Sequence, residues 1–214
     1  MSEIKLEYIM PQDIEKRSFE IIGEELVKKG ITLPAKEEPV TKRVIHTTAD
    51  FSYADTLVYS ENAVDTVKGL IKSGADIVTD TNMGLSGINK KLLSYFGGSA
   101  YCFMADEDIA ATAKEQGITR AAASMRKAAA IDKQIIYAIG NAPTALIELR
   151  RLMDEGYKPA FIIGVPVGFV NVEGAKELII EADVPYIVNR GRKGGSNVAA
   201  AICNAILYQL KDRG

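Results

Sequence analysis

The chain has 214 residues, 47% of them hydrophobic, with 26 basic against 28 acidic side chains and a formal net charge of −2. That length suits one large α/β domain or two small ones, and it can bury a core without metal or disulfide staples. The charge balance argues against a nucleic-acid protein or one drawn to an anionic membrane, so an anionic ligand must be held by a local basic cluster.

The first helix is expected from Pro11 to about Lys29, with Ile14, Ile21, Ile22 and Leu26 along one side. Ser18 falls on that stripe, four residues after Ile14, where a polar side chain is either satisfied locally or placed at a ligand edge. "EEPVTKRVIHTT" makes a second helix, with Pro39 in its first turn. On it Arg43 and His46 are three apart and share a face. "ENAVDTVKGLIKSG" reads as a helix stopped by Gly74.

From there short apolar strands alternate with helices. "ADIVTD", "AYCFMA", "KQIIYAIG", "PAFIIGVPVG" and "PYIVNR" read as strands. "GINKKLLSYFG", "DEDIAATAKEQG", "TRAAASMRKAAAI", "APTALIELRRLMDEG", "VEGAKELIIEA" and "SNVAAAICNAILYQLKD" read as helices. Such alternation predicts one α/β domain over residues 1–214, a parallel sheet of about five strands flanked by helices.

No apolar run approaches the roughly 20 residues of a membrane span. The start of the chain, "MSEIKLEYIMPQDIEK", lacks the basic lead and apolar centre of a signal peptide. A cytoplasmic protein is expected. Cys102 and Cys203 lie far apart in apolar surroundings, as buried reduced thiols would. One histidine and two cysteines do not close a tetrahedral zinc shell without a carboxylate, so no metal site is expected.

In an open parallel sheet, ligands bind beyond the carboxyl ends of the strands. There the chain places "TDTNMGLSG", "GNAPTA", "GVPVGFVN" and "NRGRKGGSN". Each alone reads as a turn and a helix cap; four on one rim suggest a ligand. Asn141 can cap a helix with Pro143 in its first turn, leaving N–H groups that favour an anion. The last loop sets Arg190, Arg192 and Lys193 beside Gly194, Gly195 and Ser196, which suits carboxylates or phosphates. It is not a P-loop, and no G-x-G-x-x-G follows the first strand. Arg120 opens an alanine-rich helix against its dipole, so it is placed for a ligand or simply solvated. Arg126, Lys127, Arg150 and Arg151 read as solvated faces.

His46 is the chain's one histidine. A lone histidine is commonly solvated or satisfied in a core, and here it sits one turn from Arg43. "GLSGI" departs from the nucleophile elbow of serine hydrolases, and neither cysteine has an electropositive, exposed setting. What survives is a single acid/base imidazole facing an anion-binding rim.

"RSFEII", "RVIHTTADF", "GNAPTALIEL", "GVPVGFVN" and "RGRKGGSNVAAA", in that order from about residue 10 to residue 210, resemble the signature segments of the precorrin-8X methylmutases of cobalamin biosynthesis. The "HTTADF" continuation looks more like the cobalt-precorrin-8 branch. The resemblance implies a Rossmann-like parallel sheet, a homodimer, and an isomerase that moves a methyl group from C-11 to C-12 of a tetrapyrrole, a 1,5-sigmatropic shift. It implies His46 as the catalytic group and Ser18, Arg43, Arg120 and the loop Arg190 to Ser196 as substrate contacts. No cofactor is implied, since any cobalt arrives inside the substrate.

Two other readings use the same residues. A phosphate-binding α/β enzyme would hold its ligand on "RGRKGGS" and needs an acidic partner, for which Asp80 is the candidate. A non-catalytic corrinoid carrier would use the same loops but has no need of the His46–Arg43 pair.

Overall fold

A computed structural model describes residues 7–211; the remaining residues of the domain expected over 1–214, with Asp212 at the end of the last expected helix, lie outside the described residues. The apolar runs pair as strands β1 (Leu57–Tyr59), β2 (Asp76–Thr79), β3 (Ala100–Tyr101), β4 (Ile135–Ile139), β5 (Phe161–Gly164) and β6 (Tyr186–Asn189). They form one sheet in the order β1-β6-β5-β4-β2-β3. β2 to β6 are parallel, in keeping with the unbroken burial of the central strands β2, β4 and β5. β1 was not foreseen. Its three residues run antiparallel to β6, with Leu57 opposite Asn189, and they extend the edge of the sheet.

Around the sheet lie α1 (Ile14–Lys28), α2 (Glu38–Thr48), α3 (Tyr53–Thr56), α4 (Ala63–Lys72), α5 (Asn82–Gly87), α6 (Lys90–Tyr95), α7 (Glu107–Gln116), α8 (Arg120–Ala129), α9 (Pro143–Asp154), α10 (Val172–Ile180) and α11 (Ser196–Leu210). One core cluster joins α1, α2, α4, α6 and α11 to one face of the sheet. A second joins α8, α9 and α10 to the other. α11 is buried along most of its length, an alanine-rich helix that lets α2 and α5 pack closely against it.

The helices begin where capping chemistry puts them. Thr81 accepts the Gly84 N–H to open α5, Asn89 caps α6 at Leu92, and Thr119 caps α8 at Ala122. α5 was not expected, because its two glycines weaken the helical pattern. Pro11 opens a 3₁₀ turn, and the first helix proper starts at Ile14. The expected apolar stripe of α1 is only half buried: Ile22 and Leu26 enter the core, while Ile14 is 52% exposed and Ile21 is exposed as well. Cys203 is buried as expected, but Cys102 is half-buried; both are free thiols. Among the described residues no helix is long and apolar enough to cross a membrane.

Two of the faces expected to be solvated are anchored. Arg126 donates to the buried carboxylate of Glu148 at 2.5 Å, and Lys127 holds Asp106 and Asp108. The fold leaves the carboxyl ends of β2, β4, β5 and β6, and the start of β1, on one rim.

Gly140 ends β4 where α11 begins. A methyl group there would lie 2.6 Å from the Ser196 Cα and 2.7 Å from the Gly195 carbonyl oxygen. Backbone on both sides has little room to yield, so Gly140→Ala is expected to lower the unfolding free energy by about 1–3 kcal/mol. Urea denaturation measures it.

Candidate functional site

Renumbered from β2, the parallel strands follow the order 2-1-3-4-5 of a doubly wound sheet, whose switch point lies between β2 and β4. That crevice is filled from within. Asp80, 1% exposed, accepts the backbone N–H groups of Gly140 (2.9 Å), Asn141 (2.8 Å) and Ala142 (2.6 Å). Burial raises its pKa above the usual aspartate value, against the pull of those three donors. The expected anion site at the start of α9 is thus taken by a carboxylate of the chain itself. Asn141 does not cap α9: the cap position is Ala142, with no side-chain cap, and the Asn141 side chain is exposed. Both carboxylate oxygens of Asp80 are engaged by backbone N–H groups, and no metal-binding group of three or more His, Cys, Asp or Glu occurs among the described residues.

The histidine lies elsewhere on the rim. Asp50, just after α2, accepts from Lys193 Nζ at 2.6 Å, and Lys193 precedes α11. Arg43 lies over Tyr208, near the end of α11, at 5.4 Å. α2 and α11 therefore run antiparallel, and the C-terminal end of α2 points at the rim. His46, one turn nearer the rim than Arg43, is exposed. Its ring stacks on Phe19 of α1, centroids 5.2 Å apart and planes 22° apart. Among the described residues neither ring nitrogen has a hydrogen-bond partner, so both are open to a ligand.

Arg43 also sits over Phe19, at 4.6 Å, and pairs with Glu15 at 2.5 Å. Ser18 is half-buried and its hydroxyl donates to its own helix, at the Ile14 carbonyl, leaving Oγ as an acceptor. Sequence reasoning brought Ser18, Arg43 and His46 together. It missed Phe19, the aromatic platform between them, although Phe19 stands next to Ser18 in "RSFEII".

In the basic loop Arg190 pairs with Glu177 (3.2 Å), Arg192 with Glu173 (3.1 Å), and Lys193 with Asp50. Lys193 Nζ also donates to Ser52 at 3.0 Å. The loop's cations are exposed; its C-terminal end is not. Gly195 is buried and its N–H goes to the Val165 carbonyl. Ser196 is buried and shares a 2.7 Å hydrogen bond with Thr81, so its hydroxyl faces inward, contrary to expectation. Gly194 has a φ of 158°, and a methyl group on it would meet the Val165 carbonyl oxygen at 2.1 Å. Beside Arg192, which lies over Phe169 at 5.6 Å, the β5–α10 loop raises an apolar tip of Val167, Phe169 and Val170, with Phe169 81% exposed.

Arg120 is exposed at the first position of α8. A hydrogen bond from Thr119 to Thr144 fixes it beside the start of α9. It lies on the face of the sheet opposite His46, and one chain does not join the two.

Residues 13–209 match the family model described as precorrin-8X methylmutase. The chain is 43% identical to the cobalt-precorrin-8 methylmutase of Leptospira interrogans, covering 95% of this chain and 96% of that protein. It is 36% identical to the precorrin-8X methylmutase of Pseudomonas aeruginosa, covering 91% and 94%. A crystal structure of the precorrin-8X methylmutase from Thermus thermophilus superposes with a TM-score of 0.84 at 37% identity, covering 94% of this chain and 99% of that one.

Removing the Asp80 carboxylate strands three N–H groups in a buried crevice. Asp80→Ala is expected to cost about 3 kcal/mol or more, since each buried donor left unmade costs about 1–3 kcal/mol. Thermal unfolding of the purified variant measures the loss.

Proposed function

The chain belongs to the precorrin-8X methylmutase family, and on that premise we propose that it is an isomerase of cobalamin biosynthesis that moves a methyl group from C-11 to C-12 of precorrin-8, with His46 as general acid. The bond from the methyl carbon to C-11 breaks, one to C-12 forms, and the ring's double bonds redistribute. Nothing enters or leaves, so neither a methyl donor nor a cofactor is needed. The relatives at 43% identity that are named cobalt-precorrin-8 methylmutase, against 36% for the precorrin-8X methylmutase of Pseudomonas aeruginosa, favour the cobalt-loaded macrocycle as substrate. Its metal arrives as part of the substrate.

The observation that carries the reading is the His46 imidazole. It is stacked on Phe19, open at both nitrogens, and one turn from Arg43. Protonated, it donates to a ring nitrogen or ring carbon beside the migration site and draws electron density from the conjugated system. The proton returns when the shift is complete. A positioned general acid contributes about 10²–10⁴-fold. Stacking keeps the ring from turning, which holds the donor in line. Arg43 takes a peripheral carboxylate and fixes the register of the macrocycle, and Ser18 Oγ accepts a short-range hydrogen bond. Arg190, Arg192 and Lys193 hold further carboxylates, while Val167, Phe169 and Val170 offer a flat apolar contact to the ring. Holding the ring rigid removes part of the entropic barrier.

The setting we infer is cytoplasmic, in keeping with two free thiols. We also assign a homodimer. The support is the exposed row of Met10, Ile14 and Ile21 on and before α1, beside Ser18, where a second copy can cover it and bring its Arg120 to the ligand.

His46→Ala is expected to cut turnover by about 10²–10⁴-fold while the macrocycle still binds, both read from visible absorption of the protein with substrate. Conversion at near wild-type rate would overturn the role of His46. Glu173 and Glu177 occupy the guanidinium groups that substrate carboxylates must take over. An exposed pair is worth about 0–1 kcal/mol, so Glu173→Gln with Glu177→Gln should lower KM several-fold at low salt, with kcat unchanged.

A further inference from the structure

Behind the basic loop, α10 carries a lysine on its buried face. Lys176 shares the stripe of Val172, Ala175 and Ile179, and it is fully enclosed. No ion-pair partner bonds to it among the described residues. Burial pushes its amine down to about 8, with Glu173 acting the other way. A buried cation costs free energy that an aliphatic chain of similar volume does not, so stability alone does not explain a lysine there.

Its hydrogen bonds do. Lys176 Nζ donates to the carbonyl oxygens of Gly191 at 2.6 Å and Lys193 at 2.8 Å. Asn189, also fully buried, donates through Nδ2 to the carbonyls of Arg190 at 3.1 Å and Lys193 at 2.9 Å. The Gly168 N–H reaches the Arg192 carbonyl at 3.2 Å. Four consecutive carbonyls, residues 190 to 193, are therefore held: those of Arg190, Gly191 and Lys193 by the buried Asn189 and Lys176, that of Arg192 by the β5–α10 loop. Each fixed carbonyl fixes its peptide plane, and with it the direction in which the neighbouring side chains leave. Arg190, Arg192 and Lys193 all leave toward solvent.

We propose that Lys176 is a positioning residue for the substrate: it holds the carbonyls of Gly191 and Lys193 so that the three cations of the loop face the carboxylates of the macrocycle together. The proposal rests on the methylmutase reading above only for the identity of that ligand. Lys176 itself touches no substrate.

Two readouts on the folded enzyme test it. The first needs no substrate: trypsin cuts after Arg190, Arg192 and Lys193 only if the loop lifts from its seat. Lys176→Met is expected to speed cleavage there by roughly tenfold, with near-ultraviolet circular dichroism unchanged. The second is kinetic. KM for cobalt-precorrin-8 should rise about tenfold, as misplaced binding groups cost, while kcat stays within about threefold. Lys176→Arg, which keeps a buried donor, should recover most of both. If Lys176→Met does not accumulate folded, Lys176→Gln carries the same measurements. Unchanged loop cleavage with unchanged KM overturns the proposal, and so does a fall in kcat alone. Faster loop cleavage in an enzyme whose wild type converts neither cobalt-precorrin-8 nor metal-free precorrin-8 keeps the positioning role of Lys176 and overturns the methylmutase reading.

Discussion

Three backbone N–H groups at the start of α9 converge on the carboxylate of Asp80, and that closes the switch-point crevice of the sheet. In doubly wound sheets the crevice between the diverging strands is where ligands settle. Here it is shut by an internal anion that ties the carboxyl end of β2 to that of β4. Ser196 and Thr81 seal the next layer with their shared hydrogen bond. What remains open on the rim is the flank toward β6 and β1, where the basic loop, the apolar tip of Phe169 and the end of α2 converge. On the proposed function, that flank is the part of the rim left to receive the macrocycle.

The cations near that flank are each paired with an acidic side chain of the same chain. Arg43, Arg190, Arg192 and Lys193 hold Glu15, Glu177, Glu173 and Asp50 in turn. A chain of net charge −2 thereby presents these cations without a strong uncompensated positive field. On the proposed function, substrate carboxylates would exchange with protein carboxylates rather than fill vacant positions, and each exchange between exposed partners would net little free energy. Grip then comes from many small, geometrically coupled contacts, and the orientation of the cations matters as much as their number. In the loop of residues 190–193, Lys176 and Asn189 fix the carbonyls from which that orientation would follow.

The parallel strands and most helices were legible because buried parallel strands read as unbroken apolar runs and surface helices read as stripes. The pairing of Arg43 with His46 was legible for the same reason, since helical spacing alone puts them on one face. β1 was not, because three residues acquire strand character only from β6, some 130 positions later. Phe19 and Glu15 lie on a different helix from the residues they serve, and no periodicity links them. Asn141 and Ser196 carried the right local signals for ligand contact, but Asp80 and Thr81 had already claimed their backbone and hydroxyl groups. Lys176 did leave a mark: a lysine on the Val172–Ala175–Ile179 stripe breaks the pattern in the way Ser18 breaks that of α1.

The seating of α2 has a cost in time. α2 packs along α11, and β1 pairs with β6, so the segment bearing His46 finds its neighbours in roughly the last thirty residues of the chain. At synthesis rates of about 5–20 residues per second, α2 waits on the order of ten seconds or more for them. During that interval Val40, Val44 and Ile45, later buried without remainder, face water or a chaperone. The helix that carries His46 leaves the ribosome early, and its packing against α11 is complete only when the end of the chain follows.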